Sequence, residues 1–314
     1  MRGTIRAMPE SQPARPRALR AGARVALVAP AGPVVAERIE ASVARCRGLG
    51  LEPVLFPSAA ARHRFLAGPD EARLGDLQTA FDDRSIDAVW ALRGGYGTVR
   101  LLSQLDLRRQ LEQPIPFIGF SDNTTIHARH ATLGVVAFHG PHPGSDFPAE
   151  TEASFVRTLF HAEPAGRLDV RAADPPPQPL TSGRAQGLLV GGNLSLLASL
   201  CGTADALPAR DRVLFLEDVG EPAYRVDRML HQLERAGLTD GVRALAFGRF
   251  SEAPDDEIHP VADALREFAE RLRVPAVMDL PFGHVEHNCT LPVGVRASLD
   301  ADAGTLEILE AAVA

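Results

Sequence analysis

Lysine is absent from this chain. All 33 basic side chains are arginine, which excludes a Schiff-base lysine, a phosphate-loop lysine and a Ser-Lys dyad. Cysteine is scarce as well. Cys46, Cys201 and Cys289 are widely spaced, odd in number and without a C-x-x-C pair, so neither a disulfide framework nor a zinc ribbon is suggested. Reduced thiols in a cytoplasmic protein fit that usage. No apolar run is long enough to span a membrane. The arginine- and proline-rich stretch 1–23 lacks the apolar core of a secretory signal and reads as a disordered leader or as sequence upstream of the true start. Net positive charge is missing too: a formal charge of -7 and a pI near 5.8 argue against nucleic acid or an anionic membrane as partner.

What is present is enough for two cores, since 45% of the 314 residues are hydrophobic. From Arg24 strands and helices alternate. Val25 to Ala29, Pro53 to Phe56, Ile86 to Leu92, Ile115 to Phe120 and Val135 to Phe138 read as strands. Helical spacing falls at Val35 to Leu49, at Asp70 to Phe81, and around Val99, Leu101 and Leu102. Such alternation predicts an α/β fold with a mostly parallel sheet covered by helices on both faces. The proline-rich, aperiodic stretch 162–184 reads as a linker, which divides the chain into an N-terminal domain, 24–161, and a smaller C-terminal α/β domain, 185–314. In the latter, Gly187 to Val190, Arg212 to Leu216 and Ala244 to Phe250 read as strands. Helices are expected at Ala223 to Ala236 and Val261 to Leu272, and Leu291 to Leu299 with Thr305 to Leu309 reads as a hairpin.

Chemistry concentrates at strand ends. Ser121 follows the apolar run Ile115 to Phe120 and precedes a helix opening at Asn123 or Thr124. A serine there is lifted out of the sheet beside unpaired helix amides, as an acyl-transfer nucleophile requires. The match to G-x-S-x-G is partial, because Asn123 stands where the second glycine would be, and Ser-Asp-Asn also fits a helix N-cap. Arg93-Gly-Gly-Tyr-Gly97 ends another strand, where Gly94 and Gly95 let backbone amides approach a ligand; a tight strand-to-helix turn accounts for the same residues. Gly191-Gly-Asn193 carries the same two readings. Glu217 ends the strand Val213 to Leu216, the place where open α/β sheets hold ligands.

Most of the ten histidines read as structural or surface groups. His139 and His142 with Asp146 make the best metal-like cluster, but their spacing matches no zinc signature. His284 and His287 both lie in a segment broken by glycine and proline, and either suits a general base. Ser121, Glu217 and His284 follow the nucleophile, acid, histidine order of α/β-hydrolases, although geometry and not order defines a triad.

These residues together resemble the LD-carboxypeptidase family of serine peptidases, which includes the microcin-immunity peptidases. The resemblance runs from Arg24 to about Leu309. Its early motifs are Val28-Ala-Pro-Ala-Gly32, Phe65-Leu-Ala-Gly68 with Asp70, Arg73-Leu-Gly-Asp-Leu-Gln78, Trp90-Ala-Leu-Arg-Gly-Gly-Tyr-Gly97 and Gly119-Phe-Ser-Asp122. Phe138-His-Gly-Pro141, Gly191-Gly-Asn-Leu194, Leu216-Glu-Asp218, Gly283-His284 and Leu291-Pro-Val-Gly294 complete it. It implies an amidotransferase-like N-terminal sheet and a triad of Ser121, Glu217 and His284 meeting in the cleft between the domains. By the same resemblance, backbone amides of Asp122 and of Gly94 or Gly95 form the oxyanion hole. Arg93 and Asn123 are read as substrate contacts, and for Arg93 a structural ion pair accounts equally well for the charge. No cofactor or metal is implied. The implied substrate is a cytoplasmic muropeptide whose L,D bond to a C-terminal D-alanine is cut during cell-wall recycling, and a homodimer is compatible with it. The alternatives are a microcin-immunity-type peptidase acting on an aminoacyl-nucleotide conjugate, or a non-catalytic small-molecule-binding module.

Overall fold

The structure, a computed structural model, describes residues 13–253 and 260–314. The first sheet is built from short strands that are buried almost throughout, except for the partly exposed edge strand Glu52–Leu55. β1 is Arg24–Val28, β2 Glu52–Leu55, β3 Ala88–Ala91, β4 Phe117–Gly119 and β5 Ala137–His139. They pair in the order β5-β4-β3-β1-β2 and run parallel. Burial on both faces explains why runs such as Ala88-Val-Trp-Ala91 carry no alternation. The helices α1 (Ala36–Gly48), α2 (Asp70–Asp82), α3 (Arg108–Glu112), α4 (Thr124–Leu133) and α5 (Ala149–Leu159) belong to this half.

The second sheet mixes strand directions. Its parallel centre is β8 (Arg184–Asn193), β9 (Arg212–Val219), β10 (Ala244–Ser251) and β11 (Ala276–Met278). α6 (Leu194–Ser199), α7 (Ala223–Arg235) and α8 (Val261–Leu272) connect those strands. α7 buries Val226, Leu230 and Leu233, one stripe at helical spacing, and leaves its charged face to pairs such as Arg225 with Glu221 at 2.9 Å.

Four expectations are corrected. The stretch 162–184 is no free linker, because β6 (Pro164–Arg167) and β7 (Gln178–Thr181) lie at opposite edges of the second sheet. Edge strands tolerate the prolines that disguised them. The C-terminal hairpin is real only for β13 (Arg296–Asp300) and β14 (Thr305–Ala311), while β12 (Leu291–Val293) crosses back to pair antiparallel with β5. Residues 13–23 are not disordered: Leu19 is buried, its N–H donates to Leu159 O at 2.8 Å, and Ala18 N–H reaches Ala314 O at 3.0 Å. Residues 1–12 of the expected leader lie outside the described residues. The helix expected near Val99 shrinks to a single 3-10 turn, Thr98–Arg100.

The return of β12 matters for the site. The loop carrying His284 starts after β11 of one sheet and ends in β12 of the other, so it spans the seam between them. Asn193 N–H donates to Thr124 Oγ1 at 3.0 Å across the same seam. Gly192 is there because a Cβ would come within 2.5 Å of the Thr124 side chain.

Candidate active site

Ser121 sits where β4 hands over to a 3-10 turn and α4, and its φ of +61° lies in the left-handed region. That conformation costs a non-glycine residue roughly 1–3 kcal/mol, so the surroundings must hold it. Asp122 supplies much of the hold. Buried beneath the turn, its Oδ2 accepts from Thr98 N–H and Thr98 Oγ1, both at 2.8 Å, and Thr98 Oγ1 also donates to the Asp122 carbonyl at 2.6 Å. Burial pushes the Asp122 carboxyl up, against those bonds. Buried Arg73 braces the other side of the same loop, donating to Gly97 O at 3.1 Å and pairing with Pro30 O and Asp70.

This network presses the 94–98 loop onto the serine. A Cβ on Gly94 would stand 2.7 Å from Ser121 Cβ, 2.9 Å from its Oγ and 3.2 Å from Asp122 N, so only glycine fits. Gly32 N–H donates to Gly94 O at 3.0 Å. Because the peptide is trans, that bond turns the Gly95 N–H away from Gly32, and it has no backbone acceptor among the described residues. Arg93 is exposed and its Nη1 donates to Pro33 O at 2.7 Å. Asn123, expected near the substrate, is fully buried instead. Its side-chain amide donates to Phe120 O at 3.0 Å and to Arg93 O at 3.3 Å, so it ties the two loops together.

The acid and the histidine come from the other half. Glu217 is in β9, which runs on to Val219 instead of stopping at Leu216. Its side chain is fully buried, and Oε2 accepts from His284 Nδ1 at 2.7 Å. Burial alone would raise Glu217, but the contacts with His139 and His284 outweigh it and hold the carboxyl below its ordinary value. For His284 burial favours the neutral ring, and the bond to Glu217 more than offsets that, so its pKa is raised. The neighbouring Asp218 faces the opposite way. Burial first, then the Glu217 charge, push it up to about 6 although it accepts from Asn193 Nδ2, Val219 N and Ser195 N. The Gly191-Gly-Asn193 motif is therefore the end of β8 and the cap of α6, where the Asn193 side chain accepts from Leu196 N.

Ser121 Oγ makes no hydrogen bond with His284 among the described residues. The two are neighbours through Phe120, whose ring centroid is 4.9 Å from that of His284. Such contacts commonly tighten when substrate arrives. His287 does not compete for the role: its Nε2 lies 3.6 Å from Cys289 Sγ, and it lines a separate cavity of about 400 Å³ that includes none of Ser121, Glu217 or His284. His139 and His142 do not form a metal site with Asp146. His142 Nδ1 is bonded to Ala91 O at 3.0 Å, and no metal-holding cluster of His, Cys, Asp or Glu occurs among the described residues. Thr98, Arg73 and Phe120 escaped the sequence reading as site residues, although Arg73 and Phe120 fall inside motifs it quoted, and His139 was read only as a metal-like candidate.

A strained strand-end serine and a buried acid–histidine pair are the kinds of group that nucleophilic acyl-transfer hydrolysis uses. The family described as the LD-carboxypeptidase N-terminal domain matches residues 25–140, and the LD-carboxypeptidase C-terminal domain matches 186–299. The chain belongs to the LD-carboxypeptidase family. It is 44% identical to a putative carboxypeptidase of Streptomyces coelicolor over 94% of this chain and 96% of that one. It is 37% identical to the murein tetrapeptide carboxypeptidase of Pseudomonas aeruginosa over 89% of this chain and 94% of that one. The crystal structure of muramoyltetrapeptide carboxypeptidase from Oxalobacter formigenes superposes with a TM-score of 0.79 at 32% identity, covering 91% of this chain and 99% of that one. An MccF-like protein from Bacillus anthracis superposes with a TM-score of 0.86 at 25% identity, covering 94% of this chain and 99% of that one.

Proposed function

We propose that this carboxypeptidase is a cytoplasmic serine enzyme that releases the C-terminal D-alanine of murein tetrapeptide by cutting the L,D bond. The observation that carries the reading is the 2.7 Å bond between His284 Nδ1 and a fully buried Glu217, set beside a serine in the left-handed region. Glu217 fixes the ring so that Nε2 is the free nitrogen. That nitrogen takes the Ser121 hydroxyl proton as Oγ attacks the peptide carbonyl. The Asp122 amide and the outward Gly95 amide hold the developing oxyanion, with Gly94 keeping the space between them open. His284 then protonates the leaving D-alanine amine, and water resolves the acyl-enzyme by the reverse steps. Arg93, exposed beside the glycine loop, is placed to pair with the terminal carboxylate of the substrate.

The test is mass spectrometry of L-Ala-D-Glu-meso-diaminopimelate-D-Ala incubated with wild type and with Ser121→Ala. Loss of one alanine with wild type alone is the expected result. Loss with both proteins would discard Ser121 as nucleophile. Loss with neither would discard the substrate. In that event the resemblance to the MccF-like fold makes an aminoacyl-nucleotide conjugate the next substrate to assay. A non-catalytic binding module would process neither compound.

A further inference from the structure

Among the buried polar atoms near the site that have no hydrogen-bond partner are Glu217 Oε1 and both ring nitrogens of His139. Both side chains are fully buried, and His139 Nε2 lies 3.7 Å from Glu217 Oε1. An unpaired carboxylate oxygen in such a place is costly, and the His139 ring nitrogen 3.7 Å away is placed to satisfy it by donating an N–H. Apolar rings close the rest of the pocket. The ring centroids of Phe215, Phe120 and Phe282 lie 5.2, 5.9 and 6.4 Å from that of His139. Leu291 pairs with His139 backbone to backbone, so the histidine is anchored in β5 of the first sheet while the acid belongs to β9 of the second.

We infer that His139 is a positioning residue of the catalytic centre: its Nε2–H holds Glu217 Oε1, so that Oε2 is left to orient His284. This rests on the Ser121, Glu217, His284 reading above and extends it by one member. The relay then runs Ser121, His284, Glu217, His139, beginning and ending on the first sheet. It pins the acid–base pair of one half to the half that carries the nucleophile. The charged and titratable groups around this pair are His127 from α4, His142 from the loop after β5, Asp218 beside Glu217, and His284 itself. His127 and His142 are held neutral by burial, so neither supplies a rival positive charge.

Two substitutions separate positioning from space filling. His139→Gln keeps a side-chain N–H where Nε2 stands, whereas His139→Phe keeps the ring volume and removes the donor. Steady-state kinetics on the tetrapeptide should give a kcat about 100-fold lower for His139→Phe with KM unchanged, as expected when a catalytic group is displaced by about 1 Å. His139→Gln should recover most of that loss. A phenylalanine variant as active as wild type, or better than the glutamine variant, would overturn the inference. The native protein gives a second test that needs no variant to fold. ¹⁵N shifts of its histidines should show His139 carrying a proton at Nε2, and a ring protonated at Nδ1 alone would overturn the inference. Inactive wild type would instead point to the substrate reading, while the tautomer would still decide the role of His139.

Discussion

The two halves of the candidate site are made by different physics. On the first sheet, Ser121, Gly94 and Gly95 are placed by backbone conformation: a left-handed serine, a contact only glycine allows, and a loop pinned through Thr98, Asp122 and Arg73. On the second, Glu217 and His284 depend on buried charge, each drawing the other's pKa away from its ordinary value. The lesson is that a change on the nucleophile side should act on rate at every pH, whereas a change on the acid–base side should also move the pH dependence.

The predictions sharpen that contrast. Ser121→Ala should remove tetrapeptide cleavage by about 10⁴-fold or more while circular dichroism and the unfolding midpoint stay as in wild type, because the side chain makes no structural hydrogen bond. Glu217→Gln should cost about 10³–10⁴-fold in kcat and, unlike the serine variant, lower the pH at which residual activity appears. The sign follows from the raised His284. Only the neutral ring accepts the serine proton, so wild-type kcat/KM should rise with pH through a value above the ordinary histidine pKa of about 6.5. Taking away the Glu217 charge lowers that midpoint. Gly94→Ala should reduce kcat by roughly 100-fold with an unshifted pH profile, since its methyl group intrudes on Ser121 Oγ and Asp122 N. A shifted profile there would erase the distinction between the halves.

The smallest effect concerns stability. His130 and His142 are buried and held down at about 4 and about 3, and His127 is also well below its ordinary value. Through these three rings the unfolded chain binds more protons than the folded one below about pH 6.5. Stability should fall as pH drops from there towards those folded values, with Asp218, pushed up to about 6, offsetting one ring's share. Urea unfolding should show a lower midpoint near pH 5 than at neutrality. The opposite trend would mean that these rings are charged in the fold.

Much of the first sheet was legible because each of its buried strands is a continuous apolar run punctuated by glycine, proline or a polar turn, as at Ile115 to Ser121. The turn at Ser121 could be read for the same reason, since Gly119 two residues before the serine and a helix start after it leave little freedom. β6 and β7 were hidden: edge strands bury too little for an alternating pattern, and their prolines mimic a linker. The crossing of β12 was equally hidden, because nothing local says which sheet a three-residue strand will join. The pair His284 and His287 could not be separated by residue type. Family resemblance preferred His284, and the structure puts that ring, not His287, on Glu217. Asn123 was expected as a substrate contact, but it is buried as a tie between loops. His139 was grouped with His142 by sequence proximity, whereas its partner lies in a strand of the other sheet.

The most direct test of the central claim, that a nucleophile on one sheet is activated by a pair from the other, is labelling with a fluorophosphonate followed by peptide mapping. The account predicts a single adduct on Ser121 in wild type, forming far more slowly in His284→Ala. An adduct on another residue, or labelling of Ser121 that is undiminished without His284, would contradict it.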